Sequence, residues 1–245
     1  MGNIRLSLTG CSITVVYRVR DSAAWVQLPA PRMKTKLILF DLFGTLIRPA
    51  TKLRPEDFFA FYQKIGIQLK AEEDIKLFTS LFTQLMSKCT NWRDLSQKLL
   101  ERTIQRTDEN IINKLANFYR KNLIYQPYDD VKEIINLPYQ KAILTSSAPF
   151  LFSNLNLEKH FKVFTPRETK FKKPDPRAFL YPLDKLGVKP EESTMIGDEI
   201  ERDLVPAKNL GIEAILIDRE NKIKNPPVRK INSLAELKKI LGPVV

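Results

Sequence analysis

Residues Leu37–Ile47 read LILFDLFGTLI. Four consecutive apolar residues run into Asp41, and the Gly44-Thr45 pair follows Leu42 and Phe43. A short apolar run bounded by charge and by a glycine is the pattern of a strand buried on both faces, as in a parallel sheet covered on either side by helices. The carboxylate ends that strand where open α/β sheets bind their ligands, outside the carboxyl ends of the strands. Asp41 is therefore the first candidate for chemistry.

Similar runs recur at Ala142–Leu144, Thr194–Ile196 and Ala214–Ile217. Helical patterns lie between them, among them Asp130–Asn136 and Arg202–Leu210, the latter stopped by Gly211. Strands alternating with helices predict a doubly wound, Rossmann-like parallel α/β sheet. Residues 49–125 break that rhythm. Pro55 fits the first turn of a helix carrying Phe58, Phe59, Tyr62 and Ile65, and Ile75, Phe78, Phe82, Leu85, Met86 and Cys89 form a second stripe. Leu95, Leu99 and Ile104 mark a third helix, and Asp108 caps a fourth with Ile111, Leu115 and Phe118. The predicted organisation is a leader or disordered tail over 1–32, a Rossmann-like core from 33–48 and 126–245, and an inserted all-helical unit over 49–125.

Composition narrows the function classes. The chain has 245 residues, 43% hydrophobic and 28% charged, with no apolar run near the roughly 18 residues needed to span a bilayer. The expectation is a cytoplasmic protein with no membrane partner. Lys plus Arg number 40 against 28 Asp plus Glu, a net charge of +12 scattered along the chain. No RNA-binding sheet signature, zinc-finger spacing or basic heptad helix accompanies it, so the reading is no nucleic-acid partner and a charge balance suited to a small phosphorylated substrate. Two cysteines, Cys11 and Cys89, make neither a disulfide framework nor a metal quartet, and Cys89 falls on an apolar helical face. His160, the only histidine, stands in a polar stretch and reads as a surface residue. Within 1–32, Leu6 occupies the position where a myristoylation signal needs Ser or Thr, and too few residues precede Cys11 for a lipoprotein signal. Met33 opens MKTKLILFD and is expected to be the true start of the chain.

Strand ends collect the polar residues. The strand near 142 ends on Thr145-Ser146-Ser147, and the strand near 194 on Gly197-Asp198, followed by Glu199, Glu201 and Asp203; FKKPDP, residues 171–176, lies between. A carboxylate, a hydroxyl, an amine and further carboxylates thus converge on one crevice. In this order they resemble the four motifs of the haloacid dehalogenase superfamily, in the branch with a helical cap inserted after motif one: LILFDLFGT, AILTSS, KKPDPRAF and the GDxxxxD of Gly197–Asp203. The resemblance covers Met33 to about Ile240. It implies Asp41 as nucleophile, and Thr145 and Lys173 holding and neutralising the transferring group. Thr45 and Ser146 would lie against the substrate, and Mg²⁺ would be held by Asp41, Asp198 and the Phe43 carbonyl. Asp203 would steady the metal site.

Phe43 departs from the phosphatase pattern, which has a second Asp there to protonate the leaving oxygen, a role worth about two to four powers of ten in rate. Three readings follow. One is a Mg²⁺-dependent phosphatase for substrates with a good leaving group. A second is a 2-haloacid dehalogenase-type hydrolase, in which the resemblance implies an aromatic residue at this place and an Arg such as Arg48 or Arg54 for the halide. The third is a non-catalytic protein that binds a phosphorylated ligand. Asp198 and Asp203 favour the first, and the Phe43 ring is expected at the junction of core and cap.

Overall fold

The computed structural model describes the backbone of residues 4–9, 12–18 and 25–27, and residues 35–51, 53–67, 72–104 and 108–241. Side chains of the first three segments, of 55 and of 72–75 lie outside the description, as do Cys11 and Met33.

The core is a six-stranded, all-parallel sheet: β4 (Leu37–Phe40), β7 (Gln140–Leu144), β8 (Lys162–Phe164), β9 (Ser193–Gly197), β10 (Glu213–Ile217) and β11 (Arg229–Ile231), in the order β11-β10-β9-β4-β7-β8. The chain leaves β4 toward β7 and β8, then crosses back to β9 beside β4, so the strand order reverses at the strand that ends on Asp41. Such a reversal opens a crevice at the carboxyl ends. Alternate side chains feed opposite layers. Ile38, Phe40, Ile143, Ile196 and Ile215 pack into one buried cluster, and Leu37, Leu39, Ala142, Leu144 and Met195 into the other. The edge strands β8 and β11 went unread because three residues carry too little pattern to separate from a loop.

Helix α5 (Lys132–Ile135) follows a 3₁₀ turn, Asp129–Val131, and short α6 (Pro166–Thr169) precedes α7 (Pro176–Leu186). Helix α8 (Val205–Asn209) is entered through a π-helical turn, Ile200–Leu204, and ends at Gly211, whose φ of +82° only glycine adopts readily. The C-terminal α9 spans Leu237–Ile240.

Four helices stand apart from the sheet: α1 (Pro55–Lys64), α2 (Glu72–Leu85), α3 (Trp92–Thr103) and α4 (Glu109–Asn122). The Asp108 carboxylate accepts from the Asn110 and Ile111 amides, the expected cap. These helices share a core of their own, including Tyr62, Phe78, Leu85, Cys89, Leu95, Leu99, Leu115 and Tyr119. An unpredicted antiparallel pair, β5 (Ile47–Pro49) with β6 (Tyr125–Pro127), carries the chain out to the helices and back. It straddles positions 48 and 126, where the sequence placed its boundaries.

Residues 1–32, expected as a leader or disordered tail, instead include three antiparallel strands: β1 (Ile4–Thr9), β2 (Ser12–Arg18) and β3 (Trp25–Gln27). The period-2 alternation of Ile4, Leu6 and Leu8 with Arg5, Ser7 and Thr9 carries that signal. No helix among the described residues is long and apolar enough to cross a membrane.

Inside the helical unit the Tyr62 and Tyr119 hydroxyls share a buried hydrogen bond of 3.0 Å. Burial pushes the Tyr62 phenol up to about 12 and Tyr119 well above its usual range, so both stay neutral. Tyr119→Phe should cost about 1–3 kcal/mol in urea denaturation, because it strands the Tyr62 hydroxyl. The double variant Tyr62→Phe/Tyr119→Phe should lose less than the sum of the singles; strict additivity would show that the pair carries no coupling.

Candidate active site

Asp41 sits just past β4, its amide held by the Ile196 carbonyl of neighbouring β9 at 2.8 Å. Lys173 reaches it from the segment before α7 and donates to Asp41 Oδ1. The same ammonium donates to Asp203 Oδ1 at 2.6 Å, with both of those side chains 2% exposed. Burial alone would lower the Lys173 pKa, but the two carboxylates outweigh it and raise it, so the lysine is a fixed cation. Asp203 is pushed up to about 6 by burial, which the Lys173 charge only partly offsets. Its second oxygen accepts from the Glu199 amide at 3.3 Å within the π-turn.

Asp198 follows β9. Its Oδ1 is buried without a hydrogen-bond partner among the described residues, and burial, then the Asp41 and Asp203 charges, push its pKa up to about 7. Oxygens of Asp41, Asp198 and Asp203 all lie within 4.8 Å of one another. Two glycines make that approach possible. A Cβ on Gly44, where φ is +82°, would come within 2.1 Å of Asp198 Oδ2, and one on Gly197 within 2.3 Å of Asp203 Oδ2. Clustered hard oxygens with one buried atom unsatisfied fit a small divalent cation such as Mg²⁺. Asp203 is already committed to Lys173 and Glu199, which leaves Asp41 and Asp198 as the freer ligands.

The crevice opens into a cleft of about 900 Å³ between sheet and helical unit, bordered by Asp41, Phe43, Thr145, Ser146 and Lys173. Buried Thr145 accepts from the Ser147 amide through its Oγ1 at 3.2 Å, and the buried Ser146 Oγ has no partner among the described residues. Thr45 is fully buried, its Oγ1 also unpartnered among the described residues, and does not border the cleft. The Phe43 ring meets Tyr125 of β6 edge to face, centroids 4.7 Å apart. It stands at the junction with the helices, not in the sheet. Arg48 faces Tyr128 and Asp129, and Arg54 pairs with Asp57 and Glu56; neither borders the cleft.

Sequence reasoning missed Arg219, just past β10. Its guanidinium donates to the Gly44 carbonyl at 3.2 Å and the Thr45 carbonyl at 2.6 Å, and forks onto Asp130 at 2.9 and 3.1 Å. It also stacks 3.6 Å over the Tyr128 ring. Asp130 is fixed in turn by the Ser233 hydroxyl and Leu234 amide, at 2.7 and 2.9 Å. Arg219 thus clamps the loop that follows Asp41. Its partners lie 89 and 174 positions away, so no local pattern could reveal it.

Two outcomes test these assignments. A planar fork is not replaced by a point charge, so Arg219→Lys should lose about 1–3 kcal/mol in urea denaturation; a loss within 0.5 kcal/mol would remove the clamp from the account. The Asp198 pKa, raised from 3.8 to about 7, makes the folded state hold a proton that the unfolded state has released. Stability without metal therefore falls as pH rises from about 4 to about 7. In EDTA, Asp198→Asn should melt higher than the parent at pH 8, by at least about 3 °C, with the difference smaller at pH 5 and vanishing toward pH 4. An equal difference at both pH values would contradict the assignment.

Comparison with known proteins agrees with this geometry. The family model for haloacid dehalogenase-like hydrolases matches residues 35–211. A phosphoserine phosphatase of Thermus thermophilus is 30% identical over 132 residues, 49% of this chain and 53% of its own length, so the chain spans about half of that relative. The crystal structure of a HAD phosphatase from Thermococcus onnurineus aligns with a TM-score of 0.58 at 25% identity, over 85% of this chain and 98% of its own. A 2-haloacid dehalogenase from Pseudomonas syringae shares the fold with a TM-score of 0.62 at 21% identity, over 84% and 98%. The chain belongs to the haloacid dehalogenase-like hydrolase family.

Proposed function

We propose that the protein is a Mg²⁺-dependent phosphatase acting on a small phosphorylated metabolite, with Asp41 as nucleophile. The observation that carries this reading is the bridge from buried Lys173 to Asp41 and Asp203, beside an Asp198 oxygen without a partner among the described residues. The lysine ammonium holds the Asp41 carboxylate in place at the end of β4, where a carboxylate oxygen can act as the nucleophile.

An Asp41 oxygen adds to phosphorus while the bond to the leaving oxygen breaks, giving an aspartyl phosphate. Water then attacks the phosphorus, releasing inorganic phosphate and restoring the carboxylate. Lys173 and Thr145 face the transferring group and offset its charge. The Ser146 hydroxyl, free of protein partners among the described residues, serves as a further donor, and Thr45 braces the turn from behind. Asp41, Asp198 and the Phe43 carbonyl would hold the ion, with Asp203 steadying Lys173 and the π-turn. Bound Mg²⁺ supplies positive charge that lessens repulsion between carboxylate and phosphate.

Phe43 can neither donate nor accept a proton. Its ring, packed on Tyr125, closes an apolar wall beside Asp41. The leaving oxygen must therefore depart without a protein acid at this position, which favours acyl and sugar 1-phosphates over simple alkyl esters. Carbon–halogen hydrolysis is the second reading, supported by that same ring. The positions of Arg48 and Arg54 away from the cleft count against it.

Phosphate release from acetyl phosphate, glucose 1-phosphate and glycerol 3-phosphate, each with Mg²⁺ and with EDTA, tests the proposal. Turnover should require the metal, fall at least about a thousandfold in Asp41→Asn, and decline as the leaving group becomes more basic. Release of chloride from 2-chloropropionate without phosphate release would transfer the assignment to the second reading.

A further inference from the structure

A second cavity of about 420 Å³ adjoins the cleft, with Ser87 and Lys172 common to both linings. Its cations are Lys88, from the turn after α2, and Arg167, Lys170 and Lys172, from the segment leading to Lys173. No carboxylate lines it among the described residues. Lys172 is half-buried, and its ammonium has no hydrogen-bond or ion-pair partner among the described residues. Burial, then the Lys88 and Arg202 charges, lower its pKa. The Lys170 ammonium is held on the Arg167 carbonyl at 2.8 Å, which keeps those two residues together. Arg202, by contrast, is paired with Glu199 at 3.2 Å.

Four cations around one concavity repel each other, and a partly buried ammonium has lost water without gaining a counter-charge. An arriving anion would relieve both costs. The wall that α2 contributes to the cleft is polar as well. Lys76, Thr79, Ser80, Thr83, Gln84 and Ser87 recur along α2 and the turn after it at spacings of 3, 1, 3, 1 and 3, one helical face turned to the cleft.

We propose that this basic pocket receives a second anionic group, a carboxylate or another phosphate, carried on a polar stem by the same substrate whose phosphate meets Asp41. The inference rests on the phosphatase reading and deepens it, since it selects doubly anionic small metabolites over singly anionic esters.

Paired compounds test it with the full chain and Mg²⁺. Glycerol 3-phosphate and 3-phosphoglycerate differ by a carboxylate, and fructose 6-phosphate and fructose 1,6-bisphosphate by a phosphate. In each pair the doubly anionic member should have the higher kcat/KM, about tenfold for the group the pocket prefers, with the gain mainly in KM. Lys172→Gln should reduce that ratio by about the same factor, and Lys88→Gln by less, its side chain being exposed. Lys159→Gln, outside both cavities, should leave the ratio unmoved and so controls for net charge. Calorimetric affinity for the same pairs in Asp41→Asn reads the pocket without turnover. If no compound is hydrolysed but the affinity ratio is present and sensitive to Lys172, the subsite stands and the phosphatase reading fails. Equal constants within both pairs, or ratios indifferent to Lys172→Gln, would overturn the subsite and leave the phosphatase reading in place.

Discussion

A lysine ammonium that is nearly inaccessible to water must find its counter-charge inside the protein, and Lys173 finds it on two carboxylates from two different strand ends. Much of the site's geometry follows from that requirement. Asp41 comes from the end of β4, Asp203 from the π-turn after β9, and Lys173 from the approach to α7. Removing Lys173 would leave two neighbouring carboxylates without their cation, which commonly costs more than the pairing contributes. Asp198 packs so close to Gly44, and Asp203 so close to Gly197, that neither position has room for a side chain. Asp198 is left with a buried oxygen that has no partner among the described residues, the arrangement a divalent cation would satisfy.

The loop that follows Asp41 has a separate anchor. Short turns carry few contacts of their own, and this one is tied by its Gly44 and Thr45 carbonyls to Arg219 at the far side of the crevice. Asp130, held by Ser233 and Leu234, fixes the guanidinium. Three distant parts of the chain thereby position the backbone between Asp41 and strand β5. Phe43 belongs to the same loop, and its contact with Tyr125 connects that turn to the return strand of the helical unit. A further tie runs from the Ala148 amide to the Met86 carbonyl at 3.3 Å. The wall of the cleft is thus shared between the sheet and the helices.

Local pattern carried some of this and not the rest. The apolar runs ending in Asp41, Thr145 and Asp198 were legible because a strand buried on both faces leaves a continuous signature and because its end is where polar residues become affordable. Helix α4 was legible from Asp108 and its stripe, since capping and periodicity act within a few residues. The Phe43 ring also lies where expected, because an aromatic residue one turn from a hinge has an apolar surface to meet. Strands β8, β11, β5 and β6 were not legible, because three residues of edge or hinge strand are specified by their partners and not by their own alternation. The first 32 residues show the opposite failure: a period-2 pattern was present there and was passed over.

By itself the sequence determined the sheet order's raw material, the insertion of helices after the first strand, and the set of residue types that meet at the crevice. Each of these depends on neighbours along the chain. The tertiary structure alone decided that Lys173 serves Asp41 and Asp203 together, that Asp198 keeps an oxygen unsatisfied among the described residues, that Arg219 clamps the loop, and that Arg48 and Arg54 stay outside the cleft. Those facts depend on distances between groups far apart in the chain, and a burial or a charge pairing has no value until the fold has brought both partners to one place.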